Sequence, residues 1–228
     1  MQTLPTTTAF IDQPSSRLAP WRQVRLASSV VRWDDADWRA WRPEEAAERL
    51  AGLEVPWYIA AGWAIDLFVG YERREHEDLE IAAPADGFRQ IHAVLDDLEF
   101  YAVGDGEVTG LAESSGRLAE THQTWGLDAT AFEWRIDVFR EPSASGEWVC
   151  RRNSEIRLSY DELIERTADG IPYVRPEVAL LFKAKAARPK DEDDLRDVLP
   201  LLAPSRRALL HDWIGLVYPG HAWLDRLA

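Results

Sequence analysis

The stretch from Tyr58 to Ile81, Y-I-A-A-G-W-A-I-D-L-F-V-G-Y-E-R-R-E-H-E-D-L-E-I, constrains the fold more than any other part of the chain. Trp57-Tyr58-Ile59-Ala60 is an apolar run short enough for one buried strand. It breaks at Ala61-Gly62 into a segment whose apolar residues, Ala64, Leu67 and Phe68, recur at helical spacing. Gly70 ends that helix. Beyond a charged linker, His76-Glu77-Asp78-Leu79-Glu80-Ile81 alternates polar with apolar. A strand there puts Asp78 and Glu80 on one face and Leu79 and Ile81 on the other.

Two carboxylates side by side on a rigid element have a chemical use. They form a hard, oxygen-rich site for Mg²⁺, which keeps water and substrate phosphate as its remaining ligands. The Ala61-Gly62 turn supplies the complement, because backbone N–H groups at a helix start can cradle phosphates without a side chain in the way.

The remaining chain fits an α/β fold around these two features. Pro43 suits a first helical position, Glu44 and Glu45 suit the positive end of a helix dipole, and Ala46, Leu50 and Leu53 give a stripe, so a helix is expected over 43–53. Strands are expected at 57–61 and 77–83. A helix carrying Phe88, Ile91, Leu95 and Leu98 follows, then a strand at 99–103 and a polar loop over 104–128. In Trp134-Arg135-Ile136-Asp137-Val138-Phe139, alternation sets Asp137 opposite Ile136 and Val138, where a third carboxylate would join the first two. An isolated exposed aspartate is the competing reading. Two short strands are expected around 148–152 and 155–158, and Arg151 and Arg152 there read as solvated edge residues or phosphate contacts. A strand over 170–174, a helix from 176 and two further apolar stripes make the last third helical.

The ordered combination of a strand, a small-residue turn, W-A-I-D, a short helix and R-x-H-x-D-L-E resembles the small nucleotidyltransferases of the DNA polymerase β superfamily. Within them it is most similar to the aminoglycoside and lincosamide adenylyltransferases. The resemblance is close over 57–81 and looser at Asp137 and after Gly170. It implies a nucleotidyltransferase-type mixed sheet with flanking helices and a helical C-terminal part, and transfer of a nucleoside monophosphate from an NTP, ATP in the first instance, to a small-molecule hydroxyl. It also implies two Mg²⁺ ions held by Asp78, Glu80 and Asp137. Ala61, Gly62 and Trp63 lie at the family's phosphate turn. Arg74 and His76 lie close to the phosphates by the same resemblance, with loop ordering as the alternative for the histidine. Lys183 and Lys190, in K-A-K-A-A-R-P-K-D, would neutralise triphosphate or pyrophosphate; a basic helix end followed by an acidic helix start explains the same residues structurally. Asp66 reads as a cap or cleft-wall residue.

Two positions depart from the family pattern. Ala61 stands where a glycine is usual, which is tolerable at negative φ, with Gly62 keeping the permissive position. Glu80 stands where an aspartate is usual and lengthens that arm by a methylene. Both keep open an alternative: a non-catalytic nucleotide-binding regulator or antitoxin-like pseudo-enzyme on the same fold.

Composition narrows the partners. The net charge of −14, from 40 acidic and 26 basic residues, lacks the basic footprint that a polynucleotide partner requires. It is compatible with a small cationic acceptor such as an aminoglycoside. A single cysteine, Cys150, excludes an intrachain disulfide, and the five histidines show no zinc spacing, so any metal is expected to be oxygen-bound. No apolar run suits a bilayer and no signal peptide is evident, so a cytoplasmic protein is expected. The expected division is a Trp-rich extension over 1–42, a nucleotidyltransferase core over 43–175, and helices over 176–228 closing the cleft. Glu113, Glu120 and Asp128 are candidate acceptor contacts in the 104–128 loop. The sequence leaves the oligomeric state and the acceptor open.

Overall fold

The computed structural model describes residues 36–111 and 116–228, together with the backbone of 25–26. Trp21, Trp33 and Glu113 lie outside the described residues. In chain order the principal elements are α1 (Pro43–Arg49), β1 (Tyr58–Ile59), α2 (Ala61–Val69), β2 (Glu80–Pro84), α3 (Phe88–Val94), β3 (Glu99–Gly104) and β4 (Glu107–Gly110). They continue with β5 (Gln123–Asp128), β6 (Glu133–Glu141), β7 (Glu147–Val149), β8 (Arg157–Ser159), β9 (Ile164–Arg166), β10 (Pro172–Val174), α4 (Pro176–Ala184), α5 (Pro189–Val198) and α6 (Pro204–Val217).

A ten-stranded mixed sheet forms the centre, in the order 4-3-5-6-2-1-10-9, extended by two-residue strands at 25–26 beside β4 and 37–38 beside β6. The parallel pair β2 and β6 is its axis. Their register sets Glu80 opposite Asp137, Ala82 opposite Phe139 and Pro84 opposite Glu141. The backbone N–H of Asp137 donates to the Leu79 carbonyl at 2.9 Å, which locks that register at the strand entrance. Leu79 and Ile81 are fully buried, as the alternation predicts, so their polar neighbours are forced to the other face.

The 104–128 segment is not a loop. It contains β4, a short helix at Arg117–Glu120 and β5, which pairs with both β3 and β6. Its polar composition hides the strands because their stability comes from cross-strand packing rather than from local pattern.

α1 and α4 begin where the sequence places them, but α1 ends at Arg49 and α3 at Val94, short of Leu53 and of Leu95 and Leu98. Proline occupies the first turn of α1, α4, α5 and α6, where its missing N–H leaves no intrahelical bond unmade. Gly70 ends α2 at φ 93°, the left-handed cap that favours glycine. Trp41 is buried in the main core, and Trp38 packs edge-on against Trp125 with ring centroids 5.3 Å apart, so the described tryptophans of the amino-terminal stretch anchor it to the sheet. Among the described residues no helix is long and apolar enough to cross a membrane.

Candidate active site

Between β1, β2 and β6 on one side and the end of α4 with the start of α5 on the other lies a cavity of about 510 Å³. Ala61, Gly62, Arg74, His76, Asp78, Glu80, Lys183 and Lys190 line it, so eight of the ten residues that the family resemblance points to meet in one space. Trp63 and Asp137 are not in its lining.

The turn from β1 into α2 forms the phosphate-sized end. No side chain caps α2, and Ala60 is its extended N-cap, so the first N–H groups of the helix are left without a side-chain acceptor. Contrary to the sequence expectation, Ala61 carries the positive φ, at 49°, and Gly62 does not. An alanine in this region costs about 1–2 kcal/mol of backbone strain. Gly62 is required for a different reason: a Cβ there would meet Arg74 Nη2 at 2.7 Å and the His76 ring at 2.8 Å. The Arg74 and His76 side chains therefore lie directly on the backbone of the turn.

His76 is held from two sides. Its Nε2 is 2.7 Å from Asp66 Oδ2, and its ring stacks on Trp63 at 4.3 Å. Trp63 faces away from the main cavity into a second one of about 490 Å³, which His76 also borders. Asp66, 2% exposed, additionally accepts from Arg73 Nε at 2.7 Å, and Arg73 reaches Asp194 at 2.5 Å and Asp197 at 3.0 Å. Lys183 joins this network through Asp194 at 2.7 Å, and Asp191 accepts from the Arg188 side chain at 2.9 Å. One buried ion network thus ties the phosphate turn to α5. Asp66 serves as its anchor and Asp194 as its hub. Lys190 and Lys185 also line the cavity, and Lys190 is close enough to Asp78 and Glu80 for its charge to favour their ionised forms.

The three acids occupy one face. Burial raises the pKa of Glu80 well above the usual carboxylate range, with Asp78 and Asp137 raising it further. Burial likewise raises Asp137 and Asp78, and the Asp78 charge also raises Asp137. Asp137 is 3% exposed; its Oδ2 accepts from Gln123 Nε2, the indole of Trp125 on the facing strand offsets part of the effect of burial, and among the described residues its buried Oδ1 makes no hydrogen bond of normal geometry. Among the described residues no three His, Cys, Asp or Glu side chains are already gathered in metal-ligating geometry. The donor set nonetheless suits a divalent cation: crowded carboxylates that raise one another's pKa values despite the nearby Lys183 and Lys190.

Three lining residues were missed or undervalued from sequence. Glu141 lies on the same face of β6 as Asp137 and Phe139; continuing the alternation two residues further would have found it. Arg151, half-buried, pairs with Glu141, so it is no solvated edge residue. Arg152 also lines the cavity. Gln123 became legible only once β5 existed. Among the loop candidates, Asp128 instead caps its own turn, accepting from Thr130 and Ala131 N–H at 3.0 Å, and Glu120 is exposed outside the cavity lining.

Comparison with known proteins gives the same direction. Residues 44–137, somewhat under half of the chain, match the aminoglycoside-2''-adenylyltransferase family model. Among solved structures, the solution structure of the antibiotic-resistance factor ANT(2'')-Ia is similar with a TM-score of 0.52 and 14% identity, covering 80% of this chain and 92% of that one. The crystal structure of ANT(2'')-Ia with adenylyl-2''-tobramycin gives 0.50 and 14%, covering 76% and 94%. The lincosamide antibiotic adenylyltransferase LnuA, lincomycin-bound, gives 0.48 and 16%, covering 68% and 92%. No curated protein sequence matches the chain. The resemblance read from the motif and the nucleotidyltransferase-type α/β fold are both borne out.

Proposed function

We propose that this chain, built on the fold of the antibiotic adenylyltransferases, is a nucleotidyltransferase that moves a nucleoside monophosphate from an NTP, with ATP as first choice, to a hydroxyl of a small molecule and releases pyrophosphate. One observation carries the reading. Asp78 and Glu80 face an uncapped helix start and a basic wall across a single cavity, and the parallel register sets Asp137 beside Glu80, buried just behind that lining.

The residues divide the work. Backbone N–H groups of Ala61 and Gly62 and the Arg74 guanidinium would hold phosphate oxygens, and Lys183 and Lys190 would offset charge on the departing pyrophosphate. Asp78 and Glu80, with Asp137 through its buried Oδ1, would hold Mg²⁺, which when bound supplies charge neutralisation at the phosphates and acidifies the attacking hydroxyl. Asp137 or Glu141 would accept the hydroxyl proton. His76, fixed by Asp66 and Trp63, keeps Arg74 and the turn in place.

A second reading has its own support. The hydrogen bond from Gln123 to Asp137 favours a nucleotide-binding regulator that has kept the cleft without turnover. Pyrophosphate release with ATP, Mg²⁺ and a panel of hydroxyl acceptors, run beside Asp78→Asn, separates the two. The enzyme gives acceptor-dependent release that the variant lowers by about a hundredfold or more. Mg²⁺-dependent nucleotide binding without release on any acceptor supports the regulator.

A further inference from the structure

The far end of the main cavity is unlike the end just described. Beyond Ala82 the floor is aromatic, with Tyr58, Phe139 and Phe182, and the wall is Arg151, Arg152 and Lys185. A site meant for a polycation would need surplus carboxylate here. Glu141 is the acid at this end, and Arg151 already neutralises it. Arg152 has no carboxylate partner among the described residues: its donors go to the Phe182 carbonyl at 3.1 Å and the Tyr218 hydroxyl, and its guanidinium lies 4.8 Å from the Phe182 ring centroid. Burial, with Arg151 close by, lowers its pKa to about 10, against a smaller opposing effect of Cys150 and Glu141. Lys185 is exposed toward the same space and also lacks a recorded partner. In a protein of net charge −14, this cavity lining carries more cationic side chains than carboxylates.

We infer that Arg152 and Lys185, with Arg151 behind them, form an oxyanion subsite, and that the acceptor is a hydroxyl compound carrying a phosphate or carboxylate rather than a polyamine. This rests on the nucleotidyl-transfer reading and narrows its acceptor class. The planar guanidinium fork suits two oxygens of such a group, and Phe182 fixes the fork's plane. The aromatic floor receives the carbon skeleton. Glu141, paired with Arg151 through Oε1 and with the Trp148 indole beside it, accepts through its buried Oε2 from a hydroxyl of the same molecule.

The γ-phosphate of the NTP is the other source of an oxyanion, and the experiment separates them. A non-hydrolysable ATP analogue with Mg²⁺ is first titrated into the protein alone; failure to bind would refute the nucleotidyl-transfer reading itself. With the analogue saturating, inorganic phosphate, glucose 6-phosphate and tobramycin are titrated by calorimetry into the wild type, Arg152→Gln, Arg152→Lys and Lys185→Ala. Expected are saturable binding of both phosphates, weakening of about tenfold in Arg152→Gln and Lys185→Ala, and partial recovery in Arg152→Lys. Lys185 is exposed, so its variant reports on the subsite even if Arg152→Gln folds poorly. Phosphate binding that is absent or unaffected by both variants, tighter binding of tobramycin than of either phosphate, or loss of analogue affinity in either variant would each overturn the assignment.

Discussion

Replacing Gly62 by alanine is the sharpest perturbation of the phosphate turn. The new Cβ would sit 2.7 Å from Arg74 Nη2 and 2.8 Å from two atoms of the His76 ring, closer than such atoms approach. The Arg74 end can swing aside, since its recorded hydrogen bond is a 3.2 Å contact to the Glu75 carbonyl. The imidazole cannot move as freely, pinned by Asp66 at 2.7 Å and stacked on Trp63. Overpacking of this kind costs about 1–3 kcal/mol, and disturbing the His76–Asp66 contact adds about 1 kcal/mol. The helical preference of alanine over glycine returns about 1 kcal/mol. The net is a loss of about 1–3 kcal/mol, or roughly 2–10 °C in Tm for a chain of this size. Gly215→Ala is the control: it lies within α6, its Cβ would meet only Leu224 Cδ2 at 3.9 Å, and it should leave Tm unchanged or raised. Thermal melts should be paired with titration of an ATP analogue, whose affinity should fall at least tenfold in Gly62→Ala because the displaced Arg74 and turn no longer meet the phosphates. A Gly62→Ala protein with wild-type Tm and wild-type nucleotide affinity would refute this view of the turn.

Other substitutions test neighbouring parts. Ala61→Gly should raise stability by about 1 kcal/mol by relieving the positive φ, read as a higher urea midpoint at constant m-value; an unchanged or lower midpoint would contradict the strain. Arg73→Met should lower stability by about 3–5 kcal/mol, because it strands the buried Asp66 and Asp194 carboxylates; a loss below about 1 kcal/mol would mean the network is dispensable. The pH dependence has a defined sign. Folded carboxylates at Glu80 and Asp137 hold their protons to higher pH than unfolded ones, so without metal their contribution to stability is full below the ordinary carboxylate pKa and is lost as pH rises through their elevated values. The Tm increase produced by Mg²⁺ should therefore be larger at pH 8 than at pH 5, and an equal shift at both would argue against metal at these acids.

How far the sequence reached depended on whether local pattern or distant packing decides an element. The β1–α2 turn, the Gly70 cap, the proline helix starts and the buried Leu79 and Ile81 are set by residues within a few positions of one another, and all were legible. β4 and β5 are polar strands stabilised by partners on either side, and they read as loop for that reason. The same failure hid Gln123, which lies opposite Phe139 on the neighbouring strand and reaches Asp137 diagonally with its side chain. Ala61 and Gly62 exchanged the roles expected of them, because glycine was judged by backbone freedom when the real constraint is the approach of Arg74 and His76 across a 12- to 14-residue separation. Asp66 illustrates the converse: its place one turn into α2 suggests a structural role, and its hydrogen bonds to the side chain and backbone of Arg73 and to His76 give it one. For Arg151 and Arg152 the sequence leaves solvated edge and phosphate contact both open, because nothing in their local pattern tells that Phe182 of α4 packs over them.

The most direct test is diffraction at the manganese edge from crystals soaked with Mn²⁺ and a non-hydrolysable ATP analogue. Anomalous density should lie against the Asp78 and Glu80 carboxylates and the Oδ1 of Asp137, with the analogue's phosphates on the Ala61–Gly62 N–H groups. Manganese bound elsewhere, or an Asp137 left on Gln123 alone while nucleotide fills the cavity, would contradict it.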